Sequence, residues 1–205
     1  RVAVVTDHGE IARAAEAAGA RAVVLDRPAD SGSDRISHLL EADPEAGRAS
    51  VVVNVQGDEP LIEPAAIAAA VAGLETGADI ATLARPLRPG DDRAVPNLVK
   101  VARAADGRAL FFSRSPIPHG APELVHLGLY AYRRDAFDRF ATAPPSALER
   151  TERLEQLRAL ELGLTVHCGI FDSRSIGIDA PADLARAAAA LAGRDGVVDG
   201  PRRPA

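Results

Sequence analysis

The sequence has no methionine, one cysteine, one lysine and few aromatic residues. Aromatic side chains make up 3% of its 205 residues and hydrophobic side chains 47%, so we expect a core of Val, Ala, Leu and Ile. Cys168 stands alone, which excludes an internal disulfide and fits a reducing cytoplasmic location. No apolar run reaches the ~18 residues of a membrane span, and no signal peptide pattern occurs. The net charge of −5 argues against nucleic-acid partners, which require basic patches.

The missing methionine bears on the extent of the chain. Arg1 directly precedes a predicted strand, Val2–Val5, so we expect the sequence to lack an N-terminal segment of the natural product. The length suits a single domain, which we place at residues 1–192. The polar, proline-rich residues 193–205 are expected to form a flexible tail.

Strands and helices alternate through the first half of the sequence, which predicts an α/β fold. Its mostly parallel, Rossmann-like sheet would carry helices on both faces. A hairpin over 98–112, turning at Ala105–Gly107, is expected to add a small antiparallel insert. The other predicted strands are Ala22–Leu25, Val51–Val55, Asp79–Leu83, Leu127–Tyr132 and Thr165–Cys168.

Helices are predicted from apolar spacing and from their caps. One begins at Pro64 with an apolar face of Ile67, Val71 and Leu74, and a single helix is expected from Ser146 to about Leu162. The others are Ile11–Ala18 closed by Gly19, Ile36–Glu41 capped by Asp34, and Pro181–Leu191.

The most informative stretch is Val51–Pro60. A short, all-apolar start predicts a buried strand, and Gln56-Gly57-Asp58-Glu59-Pro60 follows at its end. Ligands of open α/β sheets bind beyond the carboxyl ends of the strands, so Asp58 is a candidate carboxylate for Mg²⁺ near phosphates. The alternative is an ordinary tight turn built on Gly and Pro.

Two polar loops are further candidates. The residues of Ser31–Arg35 can cap a helix N-terminus, admit a ligand to it, or do both. Arg114, in Phe112–Pro118, can hold a carboxylate bidentately, or lie on the surface before a proline-stiffened loop.

Polar side chains also recur on one predicted strand and one predicted helix. His126, Gly128 and Tyr130 share a face of a strand and can form the floor of a polar pocket, although a hydrogen-bonded core histidine explains the pattern equally. Glu149, Glu152 and Gln156 share one face of the helix predicted from Ser146, and a solvated face is the alternative.

Asp179 repeats the arrangement of Asp58 near the end of the chain. It follows the apolar pattern of Ile176–Ile178 and precedes a helix start. It can complete a metal site with Asp58, or simply cap that helix.

Taken together, these strings resemble the 3-deoxy-manno-octulosonate (KDO) cytidylyltransferase family, also called CMP-KDO synthetases. The resemblance runs from Arg1 to about Leu191 and rests on Val53–Pro60, His126–Arg133, Leu154–Arg158 and Gly177–Leu184, with Thr6–Asp7, Ser31–Arg35, Pro96–Asn97 and Val99–Val101 in the same order.

The resemblance implies a glycosyltransferase-A-like nucleotidyltransferase that is cytosolic, Mg²⁺-dependent and usually dimeric. It would transfer CMP from CTP to KDO for lipopolysaccharide synthesis. Asp58 and Asp179 would bind the metal and carry catalysis. Ser31, Gly32, Ser33 and Arg35 would bind the nucleotide. The sugar acid would be held by Gln56, Arg114, His126, Tyr130, Glu152 and Gln156.

The sequence departs from the family in three places. The family's basic phosphate-gripping segment is absent, from which we expect this polypeptide alone to be inactive. The segment His119–Val125 is shorter than usual, and Ser33 replaces a threonine. Two other readings stay open: a cytidylyltransferase for another sugar acid, such as sialic acid or an amino-KDO, and a non-catalytic nucleotide- or sugar-binding remnant.

Overall fold

The computed structural model describes residues 1–120, 124–178 and 180–194. The chain begins with a βαβ unit, in which β1 (Ala3–Thr6) pairs in parallel with β2 (Arg21–Val24) across α1 (Gly9–Ala17). Gly19 has a φ of 80° just after α1, which confirms the predicted glycine stop. These two strands form a sheet of their own.

The main sheet has six described strands: β3 (Val51–Val55), β4 (Ile80–Pro86), β5 (Lys100–Arg103), β6 (Ala109–Ser113), β7 (Leu124–Arg133) and β8 (Val166–Ile170). Their order is β6-β5-β7-β4-β8, and β3 pairs with β7 beside β5. The β5–β6 pair is the predicted antiparallel hairpin, which is confirmed.

Strand direction refines the predicted sheet. β4 is parallel to β8, while β3 and β4 are both antiparallel to β7, so β3, β4 and β8 share one direction. The α/β class is confirmed, with β7 running in reverse between β3 and β4. The apolar pattern of a strand buried on both faces reports burial and not direction, so the sequence did not reveal this reversal.

Helices cover both faces of the main sheet. On one face, α2 (Gly32–Ala42), α4 (Arg134–Thr142) and α6 (Gln156–Glu161) pack over Tyr132 and Phe112, and α5 (Ala147–Glu152) packs against α6. On the other face, α3 (Pro64–Gly73) packs over Leu83 and Leu129. The last described helix is α7 (Pro181–Arg194). Within the described residues, no helix is both long and apolar enough to cross a membrane.

The predicted apolar face of α3 is wrong in part. Ala66 and Ala70 are fully buried together with Leu74, whereas Val71 is 37% exposed. The helix approaches the sheet so closely that a Cβ on Gly73 would lie 2.8 Å from the Cβ of Ala81. A close approach favours small side chains at the interface, so alanines occupy it in place of the larger apolar residues.

The predicted single helix after Ser146 is divided into α5 and α6. Arg153 lies between them with a φ of 54°, a left-handed conformation that ends the first helix. No glycine or proline marks this break, which is why the sequence pattern read as continuous. Ser146 is the N-cap of α5, and it forms a capping box with Glu149.

Candidate active site

The turn after β3 lies against β7. The backbone N–H of Glu59 donates to Gln56 O at 3.2 Å, so the expected turn is present. The side-chain Oε1 of Gln56 lies 2.8 Å from the position that a Cβ on Gly128 would occupy. Only a glycine at position 128 therefore allows the Gln56 amide to rest on the backbone of β7.

A second segment, residues 173–178, is tied to this turn. The backbone N–H of Ile178 donates to the carbonyl oxygen of Asp58 at 2.9 Å, and the Ser175 hydroxyl donates to the carboxylate of Glu59. These bonds join the turn after β3 to the segment that precedes α7. Asp179, the second predicted metal ligand, lies outside the described residues.

The chemistry of Asp58 fits the predicted ion. Its side chain is exposed beyond the carboxyl end of β3, and carboxylate oxygens are what Mg²⁺ prefers. Mg²⁺ commonly takes only one or two protein carboxylates and completes its shell with water and substrate oxygens. Among residues 1–120, 124–178 and 180–194, no group of three or more His, Cys, Asp or Glu side chains is placed to hold a metal. The roles of Asp58 and Asp179 stay predictions.

The predicted nucleotide loop forms the N-terminus of α2. Ser31 is the N-cap: its Oγ accepts from the backbone N–H of Asp34 at 3.1 Å, and the Asp34 carboxylate accepts from the backbone N–H of Ser31 at 3.0 Å. The capping alternative is therefore confirmed, with Ser31 as the cap in place of Asp34. Gly32 is exposed beside the amide of Asn54 on β3, a contact the sequence did not predict.

The other two residues of this loop point in different directions. Ser33 is fully buried beside Glu155 and Tyr132, and its Oγ has no well-aligned hydrogen bond within the described residues. Arg35 donates to Asp7, in the loop after β1, at 2.8 Å, and this bond holds the pKa of the Asp7 carboxyl below its usual value. Arg35 thus joins α2 to the first sheet, and nucleotide binding by this loop stays a prediction.

Arg114 and Glu152 are brought together at the end of β6. Both oxygens of the Glu152 carboxylate are engaged, one by the Ser113 hydroxyl at 2.9 Å and the other by the backbone N–H of Arg114 at 3.0 Å. The Arg114 guanidinium donates to the backbone carbonyls of Glu152, Pro96 and Arg153 at 2.9, 3.1 and 3.1 Å. Arg114 and Glu152 line a cavity of about 550 Å³ together with Pro96, Asn97, Thr151 and Arg153.

Lys100, the only lysine, supports this corner from inside the protein. It is fully buried, and its Nζ donates to the carbonyl oxygen of Arg114 at 2.5 Å and to that of Val95 at 3.2 Å. Lys100 lies in one of the strings that resemble the family, but no role was assigned to it from the sequence. Its burial could have been suspected only from its place at the start of an apolar strand.

His126 and Tyr130 lie on the same face of β7, as predicted. Their rings are 5.2 Å apart, and the His126 ring is 5.1 Å from that of Phe112. Burial lowers the pKa of His126 to about 3, so its ring is neutral, and burial raises the pKa of Tyr130. His126 Nε2 is 2.8 Å from the hydroxyl of Thr82 on β4. The alternative prediction, that this histidine forms a hydrogen bond inside the protein, is therefore confirmed.

The predicted shared face of Glu149, Glu152 and Gln156 does not exist, because Arg153 interrupts the helix between the last two. Glu149 pairs with Arg158 in two hydrogen bonds of 2.8 and 2.7 Å, a structural contact. Gln156 is 7% exposed at the start of α6.

A smaller cavity of about 280 Å³ lies at the other end of the main sheet, where β4 and β8 begin. Asp106, Arg108 and His167 line it, and it contains none of the predicted site residues. The predicted residues instead gather near the carboxyl ends of β3 and β6, along β7 and at the N-terminus of α2.

Known proteins share this fold. Residues 1–166 match the family model described as cytidylyltransferase. A 3-deoxy-manno-octulosonate cytidylyltransferase of Methylobacterium radiotolerans is 50% identical over 200 residues, which cover 94% of this chain and 81% of the relative. Its counterpart in Azorhizobium caulinodans is 49% identical over 201 residues, which cover 95% of this chain and 80% of the relative.

A solved structure agrees with these relatives. It is that of CMP:2-keto-3-deoxy-manno-octonic acid synthetase complexed with CTP, and it matches with a TM-score of 0.84 at 33% identity over 95% of this chain and 81% of its own. Fold and matched model together define the class, a cytidylyltransferase. The identity and coverage of the relatives narrow that class. This chain belongs to the family of 3-deoxy-manno-octulosonate cytidylyltransferases.

Proposed function

We propose that this protein transfers CMP from CTP to KDO, releasing pyrophosphate, and so supplies CMP-KDO for lipopolysaccharide synthesis. The relatives named above support the reaction, and the matched synthetase complexed with CTP supports the nucleotide. A cytosolic location and a homodimer are part of the proposal.

The observation that carries the sugar-acid half of the proposal is the donor count of Arg114. A guanidinium has five N–H donors, one on Nε and two on each terminal nitrogen. Within the described residues, Nε, Nη1 and Nη2 each spend one donor on a backbone carbonyl. One donor therefore remains on each terminal nitrogen, and such a pair suits the two oxygens of a carboxylate. A neutral sugar would have no comparable partner for them.

In the proposed reaction, the other site residues hold the two substrates. The anomeric hydroxyl oxygen of the sugar forms a bond to the α-phosphorus as the bond to the β-phosphate oxygen breaks, and the hydroxyl proton passes to solvent. Gln56, His126, Tyr130 and Gln156 hold the sugar around Arg114, which Glu152 positions, and residues 31–35 hold the nucleotide. Mg²⁺, when bound by Asp58 and Asp179, would neutralise charge on the α-phosphate and lower the pKa of the attacking hydroxyl.

Pyrophosphate release tests the proposal. The protein as its gene encodes it is incubated with CTP, Mg²⁺ and a panel of sugar acids, and turnover with KDO is expected. Asp58→Ala should abolish it, whereas Glu75→Gln, an exposed acid at the opposite end of α3, should not. Turnover with sialic acid alone would keep the mechanism and change the substrate. Binding of CTP without turnover of any sugar acid would favour a binding protein and overturn the proposal.

A further inference from the structure

Thr82 is a polar residue of the sheet interior with no role in the proposed reaction. It is fully buried on β4, facing β7. Its Oγ1 lies 2.8 Å from His126 Nε2 and 2.7 Å from the carbonyl oxygen of Leu129. Both distances are those of good hydrogen bonds.

The Thr82 hydroxyl has one hydrogen, and the geometry decides where it goes. The Leu129 carbonyl can only accept, so Thr82 donates to it. Thr82 then has only lone pairs to offer His126, and Nε2 must be the donor. Because the ring is neutral, its single N–H lies on Nε2 and Nδ1 is an acceptor. Thr82 Oγ1 is the one hydrogen-bond partner that the described residues provide to the His126 ring.

A bulge in β7 creates this arrangement. The β4–β7 register pairs Thr82 with Tyr130 but Leu83 with Leu127, so Gly128 and Leu129 have no partners on β4. The Thr82 hydroxyl satisfies the Leu129 carbonyl that this bulge exposes. Bulges change the direction of neighbouring side chains, and this one lies between His126 and Tyr130.

We infer that Thr82 is a positioning residue of the sugar-acid site: it holds His126 as the Nε2–H tautomer, so that Nδ1 accepts a hydrogen bond from a hydroxyl group of the sugar. The inference rests on the proposed function for its ligand. It adds a selection rule, because an Nδ1 acceptor favours a hydroxyl and repels a carboxylate oxygen. Arg114 would take the carboxylate, so these two groups together orient the sugar acid.

The ¹⁵N resonances of the His126 ring test the tautomer without substrate. In the wild type, Nε2 should resonate as a protonated nitrogen and Nδ1 as an unprotonated one. Thr82→Ser keeps the hydroxyl and should leave this pattern unchanged. Thr82→Val keeps the shape and removes the hydroxyl, so both nitrogens should shift towards averaged values. An unprotonated Nε2 in the wild type overturns the inference, even if Thr82→Val does not fold.

Kinetics test the consequence. Thr82→Val should raise KM for KDO by about 5- to 10-fold, the effect of one neutral hydrogen bond, with KM for CTP unchanged. Thr82→Ser should restore the wild-type value, and Thr142→Val, an exposed threonine on α4, should have no effect. An unchanged KM for KDO in a folded Thr82→Val protein overturns the inference but leaves the proposed function intact. If the wild type turns over no sugar acid, the proposed function is overturned, and with it the proposed contact between Nδ1 and the sugar.

Discussion

Replacement of Gly128 by alanine should lower activity strongly while changing the stability of the fold little. Its added Cβ would lie 2.8 Å from Gln56 Oε1, 3.4 Å from Gln56 Cδ and 3.6 Å from Glu59 Cγ. To restore an ordinary contact of ~3.4 Å, the Gln56 amide must move by about 0.6 Å. The end of a flexible side chain can make this shift, whereas the backbone of β7 does not need to move.

The stability cost should be small. Gly128 is not among the glycines with positive φ, so alanine fits its backbone, and the loss of unfolded-state freedom stabilises by about 0.4–1 kcal/mol. A displaced Gln56 rotamer costs roughly 0.5–1.5 kcal/mol, so the two terms nearly cancel. We expect the free energy of unfolding, measured by urea denaturation, to change by less than about 1 kcal/mol.

Activity should fall much further. A misplacement of about 1 Å can cost ~100-fold in rate, so a shift of about 0.6 Å should lower kcat/KM for KDO at least ~10-fold. The control is the pair of variants Gln56→Ala and Gln56→Ala/Gly128→Ala. If the Gln56 amide is what the methyl group displaces, Gly128→Ala should add little once that amide is gone. An unchanged kcat/KM, or an equal loss with and without Gln56, would refute the reasoning.

Three further outcomes follow from buried polar groups. Lys100→Met should destabilise by about 2–4 kcal/mol in urea titration, because it leaves the carbonyls of Val95 and Arg114 without their buried donor; it should also raise KM for KDO. Arg158→Met should cost about 3–5 kcal/mol of folding free energy, because it removes the cation from the largely buried carboxylate of Glu149. A two-state urea curve with an unchanged midpoint would contradict this. Lowering the pH from 7 to 5 should lower the free energy of unfolding by at most about 2 kcal/mol through His126. Because burial lowers the pKa of His126 to about 3, the unfolded chain binds a proton between pH 6.5 and 3 that the folded chain does not. His126→Phe should remove that part of the pH dependence.

The local pattern of the sequence predicted most strands and several helix ends. Val51–Val55 has the bounds found in the structure, and Gly19 ends α1 as expected. These features are local: an apolar run and a left-handed glycine act within a few residues. The sequence pattern also correctly placed His126 and Tyr130 on one face of β7, because alternation along a strand is local as well.

Features that depend on distant contacts were missed. The break at Arg153 is stabilised by tertiary contacts, because the carbonyl oxygens of Glu152 and Arg153 both accept hydrogen bonds from the Arg114 guanidinium. No local signal competes with the helical pattern there. The buried face of α3 was misread for a similar reason, since how closely the helix approaches the sheet depends on a tertiary contact, that of Gly73 with Ala81 on β4.

The candidate site illustrates the same division on a smaller scale. The family resemblance implied that Glu152 helps to hold the sugar acid, yet its carboxylate would repel the carboxylate of the sugar. The structure resolves this conflict, because Ser113 and the backbone of Arg114 already occupy both Glu152 oxygens. Glu152 binds both the backbone N–H and the guanidinium of Arg114. We therefore expect it to act on the ligand through Arg114, whose two remaining donors would meet the sugar carboxylate. Glu152→Gln should accordingly keep most of the binding energy, since an amide oxygen still accepts from the Arg114 backbone, whereas Glu152→Ala should release Arg114 and raise KM for KDO far more than KM for CTP.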